Sequence, residues 1–414
     1  MKPALFMSPQ LESNLPARHR IGGFWKGIFQ FSTIIGIIML ALLLITIINN
    51  VTGYVVIGSK VDPQSLAING VALEDMSKDD LVTVLETNLS SGMIRQMTRE
   101  NPLEDLTEDE LYAIAIEKVV QQEILASWSL IDSIINSDGI HAEAAEMYPD
   151  GELQWKTWFT LDFILSSASS DPLNAGVRTA LLGSLLVIII TIFVSLPMGV
   201  GAAIYLEEYA SDNWINRLIK TNITNLAGVP SIIYGMLGLA IFVRVLQPLT
   251  SGAMFGVGDP ATANGRTILS AGLTLALLIL PLIIINAQEA IRAVPDLLRQ
   301  ASYGVGATRW QTIWHHVLPH AIPGILTGAI LAVSRAVGET APLVVVGAAT
   351  YINFDPSSVF SKFTILPIQI YQWTSRPQAE FRHLASAAIL LLLIMLLTLN
   401  ATAILLRNRY RSQL

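Results

Sequence analysis

A chain of 414 residues, 52% apolar and only 14% charged, with a mean hydropathy of +0.54, is too apolar to be disordered. It also holds too little charge for an ordinary soluble domain, in which about a quarter of residues are charged. The absence of cysteine removes disulfides, thiolate metal sites, iron–sulfur clusters and a cysteine nucleophile together. The net charge of −7 hides a split, because residues 51–176 carry 22 Asp/Glu against six Lys/Arg, a net of −16, and the remainder is at +9.

A bilayer core about 30 Å thick needs about 20 apolar residues per helix. Six stretches qualify, at 27–50, 177–206, 227–246, 267–288, 321–347 and 384–406. The first stands behind a polar arm and is followed by no small-residue cleavage site, so it reads as a retained anchor rather than a signal peptide. Residues 51–176 then form a mainly helical, acidic insert between spans one and two. Thr107-Glu108-Asp109-Glu110 is a capping box, and Ser77-Lys78-Asp79-Asp80 is a weaker cap. From Leu111 through Ile114, Val119, Ile124, Trp128 and Ile131 to Ile135 the apolar spacing predicts one amphipathic helix. Asn101-Pro102 and Tyr148-Pro149-Asp150-Gly151 are breaks. The insert's acidity is that of a solvated surface, or of a face on which a partner docks. The body of the protein is then 177–414.

With the N-terminus inside, the segments 1–26, 207–226, 289–320 and 407–414 hold twelve Lys/Arg in 86 residues. The remaining segments hold ten in 182 residues. Positive charge marks the inside, so both termini are placed in the cytoplasm and the insert outside. Glu207 and Glu208 end a span on the inside and read as an interface cap, whereas Arg178 and Arg244 near outer ends can snorkel. Pro197, Pro230 and Pro281 fall in or near spans.

Residues 289–320 form the most informative inside loop. Pro295 and Asp296 suit the start of a helix, which runs to Tyr303 and ends at Gly304 and Gly306. Thr308-Arg309-Trp310-Gln311 caps a second helix, which stops at Leu318-Pro319. Exposed Tyr303, Trp310 and Trp314, with Arg299 and Arg309, suggest a protein partner. His315, His316 and His320 lie here without a carboxylate or thiol, which argues against a metal site.

The segment Gln300-Ala301-Ser302, then Gly306, then Leu318-Pro319 resembles the EAA loop of ABC-importer permeases, with Gln300, Ser302 and His316 as departures from its pattern. Residues 196–210, Gly228-Val229-Pro230-Ser231 and Ser334-Arg335-Ala336-Val337-Gly338-Glu339-Thr340-Ala341-Pro342-Leu343 resemble the PstA-type phosphate permeases, over roughly 172–412. The resemblance implies an all-α membrane protein with six transmembrane helices of the ABC-importer permease type, set in a bacterial inner membrane. It implies that Gln300, Ala301, Ser302, Gly306, Leu318 and Pro319 belong to a coupling loop. It also implies four partners: a second, PstC-like permease, a PstB-like ATPase dimer, a PstS-like phosphate-binding protein, and the lipid bilayer. ATP and magnesium would sit in the ATPase, and this chain itself would bind no cofactor.

Arg335 and Glu339 fall mid-span in the fifth helix, four apart and able to pair. They are either a structural pair that locks helices, aided by the glycines at 324, 328 and 338, or the substrate path. In the second case phosphate competes with Glu339 for the planar guanidinium. No Walker A loop, nucleophile elbow or His-Glu-x-x-His occurs, and nucleic-acid binding lacks a basic patch. The reading is a non-enzymatic permease subunit that carries phosphate. The alternatives are a permease for molybdate or sulfate, a membrane enzyme, and a scaffold or sensor acting through the insert.

Overall fold

The computed structural model describes residues 15–68, 70–100, 103, 106–257, 264–348 and 351–411. The Asn101-Pro102 break and the first 14 residues of the arm lie outside them. Helix α1 (Leu15–Asn49) starts well before the apolar stretch, and its side chains are exposed nearly throughout. Its C-terminal end meets the insert, which opens with strand β1 (Thr52–Ser59). Helices α2 (Lys78–Asn88), α3 (Ser91–Glu100) and α4 (Glu108–Ala115) follow. The expected capping box starts α4. Thr107 N donates to Glu110 Oε2 at 2.9 Å, and Thr107 Oγ1 accepts from Glu110 N at 3.3 Å. Those bonds hold the Glu110 carboxyl below its usual range.

The long amphipathic helix expected from Leu111 to Ile135 does not form. A π turn at Ile116–Val120 ends at Gln121, whose φ is +50°. The chain then enters strand β2 (Gln122–Ser127), and only α5 (Leu130–Ile135) returns to helix. Pairing with β1 overrides the helical spacing, because an unpaired β1 edge would leave backbone groups unsatisfied. After α6 (Ser137–Met147), the expected break at Tyr148–Gly151 leads into β3 (Glu152–Thr157), and α7 (Leu161–Leu165) closes the insert. The three strands form an antiparallel sheet in the order β2-β1-β3, so the insert is helical with a sheet at its base.

The insert has two cores. Leu73, Leu81, Leu85, Leu111, Ala115 and Val120 form one, inside a helical lobe between β1 and β2. Val55, Trp158 and Phe163 instead share a core with Trp373, Phe381 and Leu384 of the membrane body. His383 lies at this junction. Its Nδ1 is 2.7 Å from Asn50 O, its Nε2 is 3.0 Å from Ser127 Oγ, and its ring stacks on Trp158.

The body comprises α8 (Arg178–Ile204), α9 (Trp214–Ala227), α10 (Ser231–Gly238), α11 (Gln247–Thr250) and α12 (Ile268–Arg292). It continues with α13 (Asp296–Gly304), α14 (Arg309–Thr312), α15 (Leu318–Gly338), α16 (Ala341–Val346), α17 (Leu366–Thr374) and α18 (Glu380–Arg411). The most buried long helix is α12, which packs against α8, α15, α10, α9 and α16. Gly324 and Gly328 let α15 approach Ala290 and Asn286 of α12, whereas Gly338 meets no neighbour.

Five of the six expected spans appear as single helices long and apolar enough to cross a membrane, among the described residues. The sixth, expected at 227–246, is a broken pair. Trp214–Ala227 and Ser231–Val245 meet at 106°, because Pro230 cannot continue α9. The stop expected at Leu318-Pro319 is absent, and helix runs from Arg309 to Gly338. A π turn at Ile313–Val317 precedes Pro319 and widens the backbone where the ring would otherwise strike the carbonyl four residues back.

The loops sort to two ends. Segments 247–266 and 348–383 both meet the start of α12, through Thr267 Oγ1 to Thr250 O (2.8 Å) and Leu269 N to Val359 O (2.9 Å), and the second reaches the insert through Tyr351 OH to Ala168 O (3.3 Å). Arg178 does not snorkel. It pairs with Asp355 at 2.8 Å and donates to Leu165 O at 2.7 Å. The hairpin 289–320 lies at the other end of α8, whose 27 residues span roughly 40 Å.

Ser59 and Gln122 face each other across β1 and β2, so the helical lobe hangs from a hairpin-like stem. Replacing residues 60–121 by Asn-Gly, a two-residue hairpin turn, is expected to shift the melting temperature of the detergent-purified chain by less than about 3 °C, on the order of 1 kcal/mol. Removing 51–176 strips Val55, Trp158 and Phe163 from the shared core and is expected to give no monodisperse protein. Equal melting of the two deletions in a thermal scan would refute the shared core.

Candidate functional site

The hairpin is built by local chemistry. Pro295 precedes α13 and Asp296 opens it. Gly306 takes a φ of +86°, a conformation that side chains disfavour, and turns the chain back. Gly304 is the last residue of α13 and needs no such conformation. Thr308 and Gln311 form the second capping box, with Thr308 N donating to Gln311 Oε1 at 2.8 Å. Ser302, a departure from the permease pattern, is buried and lies 2.9 Å from Thr312 across the hairpin, hydroxyl to hydroxyl. The two helices are therefore pinned from inside.

Gln300, Ala301 and Gly306 face outward, and Leu318 and Pro319 are half-buried at the root of α15. Tyr303, Val305, Trp310 and Trp314 are exposed, and the two indoles stack with centroids 5.5 Å apart. The structure thus presents the expected aromatic face. Arg299 is not part of it, because it is buried beneath. Its guanidinium pairs with Glu208 at 2.8 Å and with Asp296 at 3.2 Å, and donates to Val294 O at 2.6 Å and Ile291 O at 2.9 Å, where α12 ends. Arg309 approaches Glu208 O at 3.5 Å. The three histidines are exposed, and His315 and His320 contact carbonyls one turn back.

Glu207 points the other way. It accepts from Gln288 at 2.9 Å and pairs with Arg292 at 3.0 Å and Lys220 at 3.2 Å. Successive helical residues diverge by about 100°, so the Glu207-Glu208 pair ties the end of α8 to α9 and α12 on one side and to α13 on the other. Sequence reasoning read these two carboxylates only as an interface cap and missed the network. The one available signal was two acids closing a span on the side where the basic loops lie.

Arg335 and Glu339 do pair, Nε to Oε1 at 3.2 Å, but not in mid-helix. The helix ends at Gly338, since Pro342 has no N–H to offer that carbonyl. Glu339 is the extended cap, with φ −78° and ψ 117°. Arg335 is 42% exposed and Glu339 18%. Arg335, Gly338, Ala341 and Val344 share an exposed side of the α15–α16 line.

A family model described as "Binding-protein-dependent transport system inner membrane component" matches residues 195–411, just over half the chain. The chain is 31% identical over 256 residues to "Probable ABC transporter permease protein YqgI" of Bacillus subtilis, covering 58% of this chain and 82% of that protein. It is 37% identical over 253 residues to "Phosphate transport system permease protein PstA 1" of Mycobacterium tuberculosis strain H37Rv, covering 60% and 75%. To "Phosphate transport system permease protein PstC" of Pasteurella multocida it is 34% identical over 208 residues, covering 46% and 61%.

The buried pair sets the stability of this site. Glu208 and Arg299 are 7% and 15% exposed, so Glu208→Ala, which leaves the guanidinium only the exposed Asp296 as a charge partner, is expected to cost about 3 kcal/mol. Glu289→Ala removes a surface partner of Arg292 and is expected to cost under about 0.5 kcal/mol. Denaturant unfolding in detergent measures both, and equal losses would contradict the assigned role of burial.

Proposed function

The chain belongs to the family of binding-protein-dependent transport system inner membrane components, and from that premise we propose that it is the phosphate-conducting permease half of an ATP-driven importer. It is a multi-pass membrane protein and not an enzyme. The observation that carries the coupling role is the hairpin 289–320, with aromatic side chains outside and the Glu208–Arg299 pair inside. An ATPase subunit gripping the aromatic face moves a body already fastened to α8 and α12. That motion rocks helices against one another and alternates access to a site between them. Energy enters through ATP and magnesium in the partner, not through this chain.

Phosphate as substrate is supported by the relatives named PstA and by the Arg335–Glu339 pair. A guanidinium offers a planar fork of N–H donors matched to an oxyanion. Glu339 occupies that fork at rest, and phosphate displaces it transiently. Arg335 lies on an exposed side of the chain, where a second permease would close the path. An external binding protein would deliver phosphate at the insert end, and the hairpin end would face the cytoplasm, an orientation the distribution of Lys and Arg supports.

The test is reconstitution with a second permease, an ATPase and a binding protein in liposomes. Arg335→Gln is expected to lower phosphate uptake at least tenfold, roughly the worth of one charge-assisted hydrogen bond, in a complex that still assembles. Trp310→Ala with Trp314→Ala is expected to release the ATPase while the permease stays folded. Uptake that is inhibited by molybdate or sulfate but not carried out with phosphate would replace the substrate, and wild-type uptake by Arg335→Gln would end its role.

A further inference from the structure

The guanidinium of Arg266 makes no ion pair or hydrogen bond with a described residue. Arg178, Arg292, Arg299 and Arg335 each face a carboxylate. Arg266 lies at the insert end, immediately before the capping residue of α12, and is exposed. Its stem nonetheless has a defined neighbour. The stem, Cγ through Nε, lies against Gly347, so close that a β-carbon there would collide with it. Gly347 has a φ of +110° and ends α16. The short helix α16 therefore begins just after the Arg335–Glu339 pair at the end of α15 and ends at the glycine that receives the Arg266 stem. Along the chain, three residues of α15, the break and six residues of α16 lie between Arg335 and Gly347.

We propose that Arg266 is the entry station for the oxyanion, which it holds at the outer mouth before the anion passes along α16 to Arg335. This rests on the phosphate reading above. Five N–H donors with no carboxylate partner among the described residues suit a first contact that must bind quickly and release inward. The paired Arg335 suits the next step, because Glu339 must be displaced before the anion is held. Gly347 admits the arginine stem over the end of α16. The acidic insert discourages anions elsewhere on that end and leaves the mouth as the place where one is attracted.

The chain has no cysteine, so a single thiol reports on this position alone once the partner subunits are made cysteine-free. In liposomes holding the full complex, Arg266→Cys is expected to lower phosphate taken up per ATP hydrolysed about tenfold, while ATP hydrolysis stimulated by loaded binding protein continues. Attaching a positively charged ethyl-ammonium thiol reagent is expected to restore uptake, and a negatively charged sulfonate reagent is not. Inorganic phosphate is expected to slow modification by the sulfonate reagent. Wild-type uptake per ATP by Arg266→Cys, or equal rescue by both reagents, overturns the proposal. The same response at Arg244→Cys, another exposed arginine on this end, also overturns it by showing a diffuse surface-charge effect. If Arg266→Cys is silent while Arg335→Gln loses uptake, the entry station fails and the phosphate path stands. If both are silent, the phosphate reading itself has failed.

Discussion

Arg299 is surrounded by acceptors that belong to three different elements. It donates to the carbonyls of Ile291 and Val294 where α12 ends, pairs with Glu208 just past α8, and pairs with Asp296 on α13, the hairpin helix it rises from. Removing any one of these partners leaves a charge in a poorly hydrated place, a cost of several kcal/mol. The hairpin therefore cannot rotate freely against the spans, although most of its outer surface is uncovered. Ser302 and Thr312 add a second constraint by fixing α13 to the next helix. The result is a rigid handle with a soft, aromatic exterior, which is what a mechanical coupling between two proteins needs.

The insert follows a different logic. A long soluble insertion between two spans could hang on a flexible tether. Here Trp158 and Phe163 enter the same core as Trp373 and Phe381, and His383 joins Asn50 to Ser127. The sheet is therefore part of the body's end, and the helical lobe is an extension of the β1–β2 stem with its own core. The end that carries the proposed mouth is consequently framed by rigid structure on the insert side.

What the sequence made legible follows from the range of the interactions. Two of the three complete capping boxes, the turn at Gly306 and the five spans that appear as single long helices depend on residues within four positions of each other or on apolar length, and were readable; the third box, Thr267 with Ser270, was not read. Residues 111–135 were misread because their apolar spacing suits a helix about as well as a strand, and only β1, some 65 positions earlier, decides between them. The Glu207 and Glu208 pairs join residues up to 91 positions apart, so nothing local announces them. The break before Pro342 was not read, because the continuous apolar run around it favoured an unbroken span. The Arg335–Glu339 pair was thus found by its four-residue spacing while its place at a helix end was missed.

The two breaks in the body are related in space. α10, which follows the bend after α9, packs on α16, which follows the break after α15, with Gly235 against the backbone of Pro342. Irregular backbone at membrane depth is tolerated only where protein or a water-filled cavity satisfies it. The first break is stitched by Tyr234, whose hydroxyl donates to Leu226 O at 2.7 Å. The second carries an ion pair instead of a stitch, since Glu339 is drawn back to Arg335 and not to a neighbouring helix. A purely structural lock would be expected to bridge helices, as Tyr234 bridges the two halves of its bend. A pair confined to one helix end, on a partly exposed face, holds nothing else together. Its energy is therefore available for exchange with an anion at little cost to the fold, which is the condition a translocation path requires.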